Sequence, residues 1–406
     1  MKNVVVVAPF FLDNTLRLVR AAAELDGTRV SVISSDPLSK LPPAYREVVE
    51  LHYRVDNCLD GAQLTRACQW IARRMGGIDC LLGALEQLQL PLAVAREACD
   101  IPGLGIEAAT AFRDKTRMKD KFREAGVPCA RHRRIESERD LRSFVAEVGL
   151  PVIVKPIDGL GSRGTHRIVT DADVTAALKA LDPSPTRPLQ AEEFVQGIER
   201  TYETVTIGGK PVWHSGTFYL PGPLEVVETP WIQYCVLLPR EIDSDFKKFA
   251  AYNTRALAAL GMETGLSHME WFVRRDGSFA VSEVGARPPG VQIMPMMSIA
   301  NGVDMVRAWV RLMVHSQFEP PTRSRAVGVA FFRGQGPGKR VTAVRGVAEA
   351  NAAVGHVVVD RSLPHVGQPA ASGYEGEGWA IVADPSTEVV RQALKQLVSL
   401  VRVDLG

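Results

Sequence analysis

HMEWFVRRDGSFAVSEVGARPPG, residues 268–290, is the stretch on which the reading of this chain turns. Asp276–Gly277 lies between two β-rich runs and predicts a two-residue hairpin turn. With that turn Arg275 faces Ser278, and counting back along both strands brings Glu270 directly opposite Glu283. A symmetric four-residue loop preserves the same pairing. Opposed Cβ atoms lie about 4.5–5.5 Å apart, where like charges destabilise a sheet. A shared proton, a lysine or a divalent cation would offset the repulsion. The alternative is a solvated edge hairpin, which the apolar Phe272 and Val281 on the same face disfavour.

A second stretch, VIVKPIDGLGSRGTHRIV (residues 152–169), holds a G-x-G-x-x-G pattern at Gly159, Gly161 and Gly164. In a dinucleotide fold the third glycine opens a helix. Here Gly164 is followed by THRIV, which reads as a strand, so the loop joins two strands. A protein-kinase loop would need an H-R-D catalytic segment, which the chain lacks. GQGPGKR at Gly334 to Arg340 also fails as a phosphate loop, because Arg340 stands where Ser or Thr would hold magnesium. Taken alone, the loop divides evenly between a surface hairpin and a phosphate flap, with Lys155 just before it as a point charge. The glutamate pair tips it to the flap. Beside a triphosphate, Mg²⁺ or Mn²⁺ is the natural bridge between two carboxylates.

Outward from these motifs the chain divides in three. Lys2 to Ala8 and Arg29 to Ser34 read as buried strands around a helix from Thr15 to Leu25. Ile78 to Leu82 and a helix from Pro91 to Cys99 continue the alternation, which predicts a parallel sheet. The first strand–helix turn, APFFLDN, has no glycine, so residues 1–105 are expected to be Rossmann-like without the dinucleotide fingerprint. Residues 106–314 are expected to form the domain that carries both motifs, with the flap region at about 125–195. A Pro-rich break at Gln317 to Pro321 opens a third region, 315–406, of short strands and a final helix from Thr387. The expected class is mixed α/β and α+β.

Composition narrows the function. The formal charge of +2 is small against 48 basic and 46 acidic side chains, with no aromatic-basic interleaving. That argues against a nucleic-acid binder. The six cysteines are scattered without a C-x-x-C pair, so reduced thiols are expected rather than zinc or a disulfide framework. The N-terminal apolar run is too short for a signal peptide or membrane span. A cytoplasmic enzyme is the expectation. The oligomeric state is left open, a homodimer among the options.

In their order, these features resemble the ATP-grasp superfamily, specifically its carboxylate–amine (amino-acid) ligases, over about residues 100–312. FRDKTRMKDKFREAGVP is similar to the family's leading segment, whose lysine (Lys115) meets the nucleotide phosphates. The resemblance makes Lys155 the second ATP lysine and puts Ser162 near the phosphates. QAEEFVQGIE is similar to the adenine hinge: Glu192 and Val195 would offer backbone groups to the base, and Glu199 would hold the ribose hydroxyls. Glu270 and Glu283 fall on the metal-ligand positions. Arg287 matches the arginine that faces the transferred phosphate and the substrate carboxylate. Gly285 departs from the family's E-x-N-x-R, standing where an asparagine would ligate a second metal, so one or two metals are left open. The resemblance implies an ATP- and Mg²⁺-dependent ligase joining a small acid, such as an amino acid, to an amine through an acyl phosphate. The alternatives are a ligase of purine-pathway or carboxylase type, or a nucleotide-binding protein without turnover.

Three smaller features complete the reading. His268 shares a strand face with Glu270, where a substrate hydrogen bond and a structural role are equally open. The basic run Arg131 to Arg134 is expected to be a solvated loop. Met294, Met296 and Met297 are expected to fill core.

Overall fold

The computed structural model describes residues 1–159, 161, 164–229 and 231–406. The two continuous apolar runs near the N-terminus are strands Lys2–Val7 and Thr28–Ser34. With Val49–Arg54 and Cys80–Leu82 they form a four-stranded sheet whose pairs are all parallel. Parallel strands need covered faces. Leu18, Val19 and Ala22 of helix Asp13–Ala23 pack on Val4 and Val6, while Leu64, Ile71 and Leu92 from two other helices pack on Val5 and Val7. Helix Gly61–Met75 ends at Gly76 in the left-handed region (φ 79°), where glycine carries no Cβ penalty.

A second, antiparallel sheet runs His132–Ile135, Leu189–Glu193, Val152–Pro156, His166–Ile168. Helices Glu138–Val148 and Asp171–Leu181 cover one face of it. The Gly loop joins its last two members, so the strand after Gly164 is real. The basic run is not a loop. It is an edge strand with His132 and Ile135 buried, while Arg133 and Arg134 reach out to Glu147 and Glu136.

The third sheet carries most of the fold. Phe279–Gly285 lies at one end, followed by Gly265–Arg274, Gly197–Ile207, Phe218–Leu220, Tyr234–Leu238, Ala326–Phe332, Gly378–Asp384 and Val358–Ser362, with Lys210–Ser215 also paired to Gly197–Ile207. The residues after the Pro-rich break thus continue one sheet across position 315. Ala326–Phe332 (AVGVAFF) is buried along its whole length, and its backbone is paired on one side with Tyr234–Leu238 and on the other with Gly378–Asp384. Met296 and Met297, on helix Ile293–Asn301, sit in the core beneath this sheet. Among the described residues, no helix is long and apolar enough to cross a membrane.

Candidate functional site

The two antiparallel sheets face each other across a cavity of about 730 Å³. Glu270 and Glu283 stand on its floor as directly opposed partners of the Gly265–Arg274 and Phe279–Gly285 strands. The route to that pairing differs from the expected one. The turn is longer by one residue, with Arg274 N–H donating to Ser278 O and Gly277 at φ 80°. Val273 therefore faces Phe279 and Trp271 faces Val281. An irregularity between Glu270 and Trp271, at Ser282, then restores the pairing of Glu270 with Glu283.

Lys115 and Lys155 approach from opposite sides. Asp114 caps helix Lys115–Glu124 by accepting from the N–H groups of Thr116 and Arg117, which places Lys115 on the first turn. Lys115 Nζ donates to Gly159 O at 2.8 Å and lies 3.3 Å from Glu283 Oε2. Lys155, at the end of Val152–Pro156, contacts Glu192 Oε1 at 2.7 Å. Glu192 lies within a central strand, and its side chain enters the cavity, where Oε2 also meets Lys119 Nζ at 2.8 Å. Burial alone would raise the Glu192 carboxyl, but Lys119 and Lys155 outweigh it and hold the group well below the usual range. For Glu283 too, burial is outweighed, here by Lys115 and Lys155, and the carboxyl is lowered.

Glu199, on strand Gly197–Ile207, behaves in the opposite way. Burial, then the charges of Glu270 and Glu283, push it well above the carboxylate range. Gly222 opposite it leaves room for the carboxyl, since a Cβ there would come 2.8 Å from Glu199 Oε2. Val195 lines the cavity just beyond strand Leu189–Glu193. Ser162 lies outside the described residues.

His268 is buried with Nδ1 2.9 Å from Glu203 Oε1 and Nε2 3.8 Å from Glu270 Oε1. Burial would lower the imidazole, yet the hydrogen bond to Glu203 and the nearby Glu270 carboxylate raise it to about 9. Tyr219 donates to Glu270 Oε1 at 3.0 Å. At the far end, Arg287 is engaged by Glu86, which also meets Arg113 at 3.0 Å. A Cβ on Gly285 would lie 2.8 Å from Glu86 Oε2, so the Glu86 carboxylate occupies the direction a residue-285 side chain would take.

Sequence reasoning missed Glu86, Lys119, Glu203, Tyr219 and Tyr374, all now seen in or beside the cavity. Two had a signal. Lys119 is four residues after Lys115 on one helix face, and Glu86 follows the C-terminal end of a parallel strand, where such folds place ligands. Glu203 meets His268 through a strand pairing across 65 residues, which no local pattern encodes.

The donor set fits a divalent cation beside a nucleotide. Glu270 and Glu283 offer hard oxygen atoms on one floor, and after burial their charges are the next causes that raise the nearby Glu199 carboxyl. Among the described residues, no group of three or more His, Cys, Asp and Glu could hold a metal. Mg²⁺ is commonly held by one or two carboxylates, with phosphate oxygens and water completing its shell.

Residues 120–291 match the model of the ATP-grasp domain. Among the chain's relatives, the alanine–anticapsin ligase of Bacillus subtilis (strain 168) is 27% identical over 257 residues, covering 57% of this chain and 53% of that protein. The chain therefore spans about half the length of that curated relative. The L-amino acid ligase of Bacillus licheniformis superposes with a TM-score of 0.79 at 19% identity, over 100% of this chain and 99% of its own. A carboxyaminoimidazole ribonucleotide synthase of Aspergillus clavatus, complexed with ATP, gives 0.73 at 17% identity over 98% of each chain. At these identities the two structures establish a shared fold.

Proposed function

We propose that this chain is an ATP-dependent, ADP-forming ligase that activates a carboxylate and joins it to an amine. The meeting of two opposed carboxylates, two lysines and Arg287 in one cavity carries this reading. Lys115 and Lys155 would take the nucleotide phosphates. The segment around Val195, together with the Glu192 backbone, would take the base, and Glu199 would accept from the ribose hydroxyls. Glu270 and Glu283 would hold Mg²⁺ or Mn²⁺, which supplies charge neutralisation at the γ-phosphate. Arg287 would bind the substrate carboxylate once Glu86 yields it.

Both reactants of the first step are anionic, so cationic groups must offset their repulsion. A carboxylate oxygen attacks the γ-phosphorus, the bond to the β-phosphate oxygen breaks, and ADP leaves. The amine then attacks the acyl carbon, phosphate departs with the C–O bond electrons, and the amine loses a proton.

Two versions of the acid are in play. An amino acid or similar small acid is supported by the likeness to the alanine–anticapsin ligase. A purine-pathway or carboxylase-type substrate is supported by the likeness to the ribonucleotide synthase. ADP and hydroxamate formation would be measured with ATP, Mg²⁺ and hydroxylamine across amino acids, and ADP formation with bicarbonate. Amino-acid hydroxamates favour the first version, and ADP release dependent on bicarbonate alone favours the second. AMP as product overturns the acyl-phosphate chemistry. ATP binding without turnover on any acid leaves a nucleotide-binding protein.

A further inference from the structure

Tyr374 comes from the stretch whose role the sequence left open, yet it lines the same cavity as Lys115, Lys155, Glu270 and Arg287. Its loop is tied down. Glu377 accepts from Gly334 N and Ala371 N (2.9 Å for the latter), its own N–H donates to Phe332 O at 2.9 Å, and Gln368 Nε2 donates to its carbonyl at 2.8 Å. Gly376 sits at φ 67°, and a Cβ there would lie 2.5 Å from Phe332 O, so only glycine fits. These bonds anchor the loop to the end of a fully buried strand.

The ring is equally constrained. It packs edge-on to Tyr234 (5.6 Å, 82°), which itself stacks on Phe331 and touches Tyr219. Its other side meets the Gly loop, where a Cβ on Gly161 would lie 3.3 Å from Tyr374 Cε1. Burial, with the charges of Glu270, Glu375 and Glu283, keeps the phenol protonated, while Arg287 acts in the opposite sense. Through Tyr234 and Tyr219, whose hydroxyl donates to Glu270, the ring is tied to the Glu270 floor of the cavity that Arg287 also lines. An acid held by Arg287 would share that cavity with this ring.

We propose that Tyr374 is a specificity-determining residue that limits the size of the acid bound at Arg287. The inference rests on the carboxylate–amine reading above. A rigid aromatic wall excludes side chains that would need it to move, because its anchors leave no low-cost alternative position.

The test compares the native enzyme with Tyr374→Ala, Tyr374→Leu and Tyr374→Phe. Hydroxamate formation is followed over alanine, valine, leucine and phenylalanine, and ATP affinity is measured by calorimetry. Tyr374→Ala and Tyr374→Leu should raise kcat/KM for the large acids relative to alanine by about 10-fold or more, the scale on which pockets discriminate by methylene groups. Tyr374→Phe should keep the native order, and ATP affinity should stay within about 3-fold. A purely structural role would lower all acids alike, and that result overturns the inference. Tyr374→Leu keeps an apolar body in the loop and decides the matter if Tyr374→Ala fails to fold. A native enzyme that forms no hydroxamate from any acid overturns the function itself, and this inference with it.

Discussion

The carboxylate of Glu86 lies against Arg287 in the space that a side chain at position 285 would fill. Gly285 and Glu86 therefore form one unit, although 199 residues of sequence separate them. Placing an asparagine there by Gly285→Asn should push Glu86 off Arg287. Overpacking of this kind costs about 1–3 kcal/mol, and acid-dependent ADP release should fall about 10-fold. Adding Glu86→Ala should recover part of both losses, with non-additivity above about 0.5 kcal/mol in a double-mutant cycle. Additive effects would show that the two positions are independent.

Arg287 itself is placed by Nη1 donating to Pro288 O at 2.8 Å and by the Glu86 contact. Its planar fork is suited to a carboxylate in a way that a lysine is not. Arg287→Lys should raise KM for the acid by about 10- to 100-fold while nucleotide affinity stays within about 3-fold. A matching loss of nucleotide affinity would move Arg287 to the phosphate side of the site.

Glu270 and Glu283 repel each other across the strands, with Lys115 within salt-bridge reach of Glu283 and His268 within 3.8 Å of Glu270. Without Mg²⁺, Glu270→Gln should therefore change stability by less than about 1 kcal/mol, because the repulsion from Glu283 that it removes is offset by the attraction to His268 that it also removes. Its amide oxygen can still accept from Tyr219. Mg²⁺ with nucleotide should raise the melting temperature of the native protein more than that of the variant, and ADP formation by the variant should fall about 100-fold, as expected on losing metal-held charge. Equal stabilisation of both proteins by Mg²⁺ and nucleotide would remove Glu270 from the metal site.

That pairing also shows how far the sequence could be read. Hairpin chemistry at Asp276–Gly277 pointed to a two-residue turn, and the pairing of the two glutamates followed. In the structure the turn is longer and the Ser282 irregularity cancels the shift, so the conclusion survives although its path did not. Turns and buried runs were legible because their determinants are local: Gly208–Gly209, both at positive φ, join Gly197–Ile207 to Lys210–Ser215 in a two-residue turn. Strand Val49–Arg54 was not, because a half-exposed edge lacks a continuous apolar run. The Glu86–Arg287, Glu203–His268 and Tyr374–Gly161 contacts depend on how sheets and loops pack. No spacing in the chain announces them.

Glu192 offers a prediction that needs no substrate. It is buried between Lys119 and Lys155, 2.8 and 2.7 Å away, and its carboxyl is held below the ordinary value of 4.5. A lowered carboxyl contributes stability that is fully present above its unfolded value. That stability is lost as pH falls toward the folded value. Glu192→Gln leaves two buried lysines without their anion, which at pH 7 should cost about 3 kcal/mol, the scale of breaking a buried pair. The deficit should be constant from neutral pH down to the ordinary glutamate range and should shrink below it, where the native protein also loses this contribution. Urea unfolding of both proteins across that range measures it. A deficit that does not change with pH would mean that Glu192 is not ionised between its two lysines.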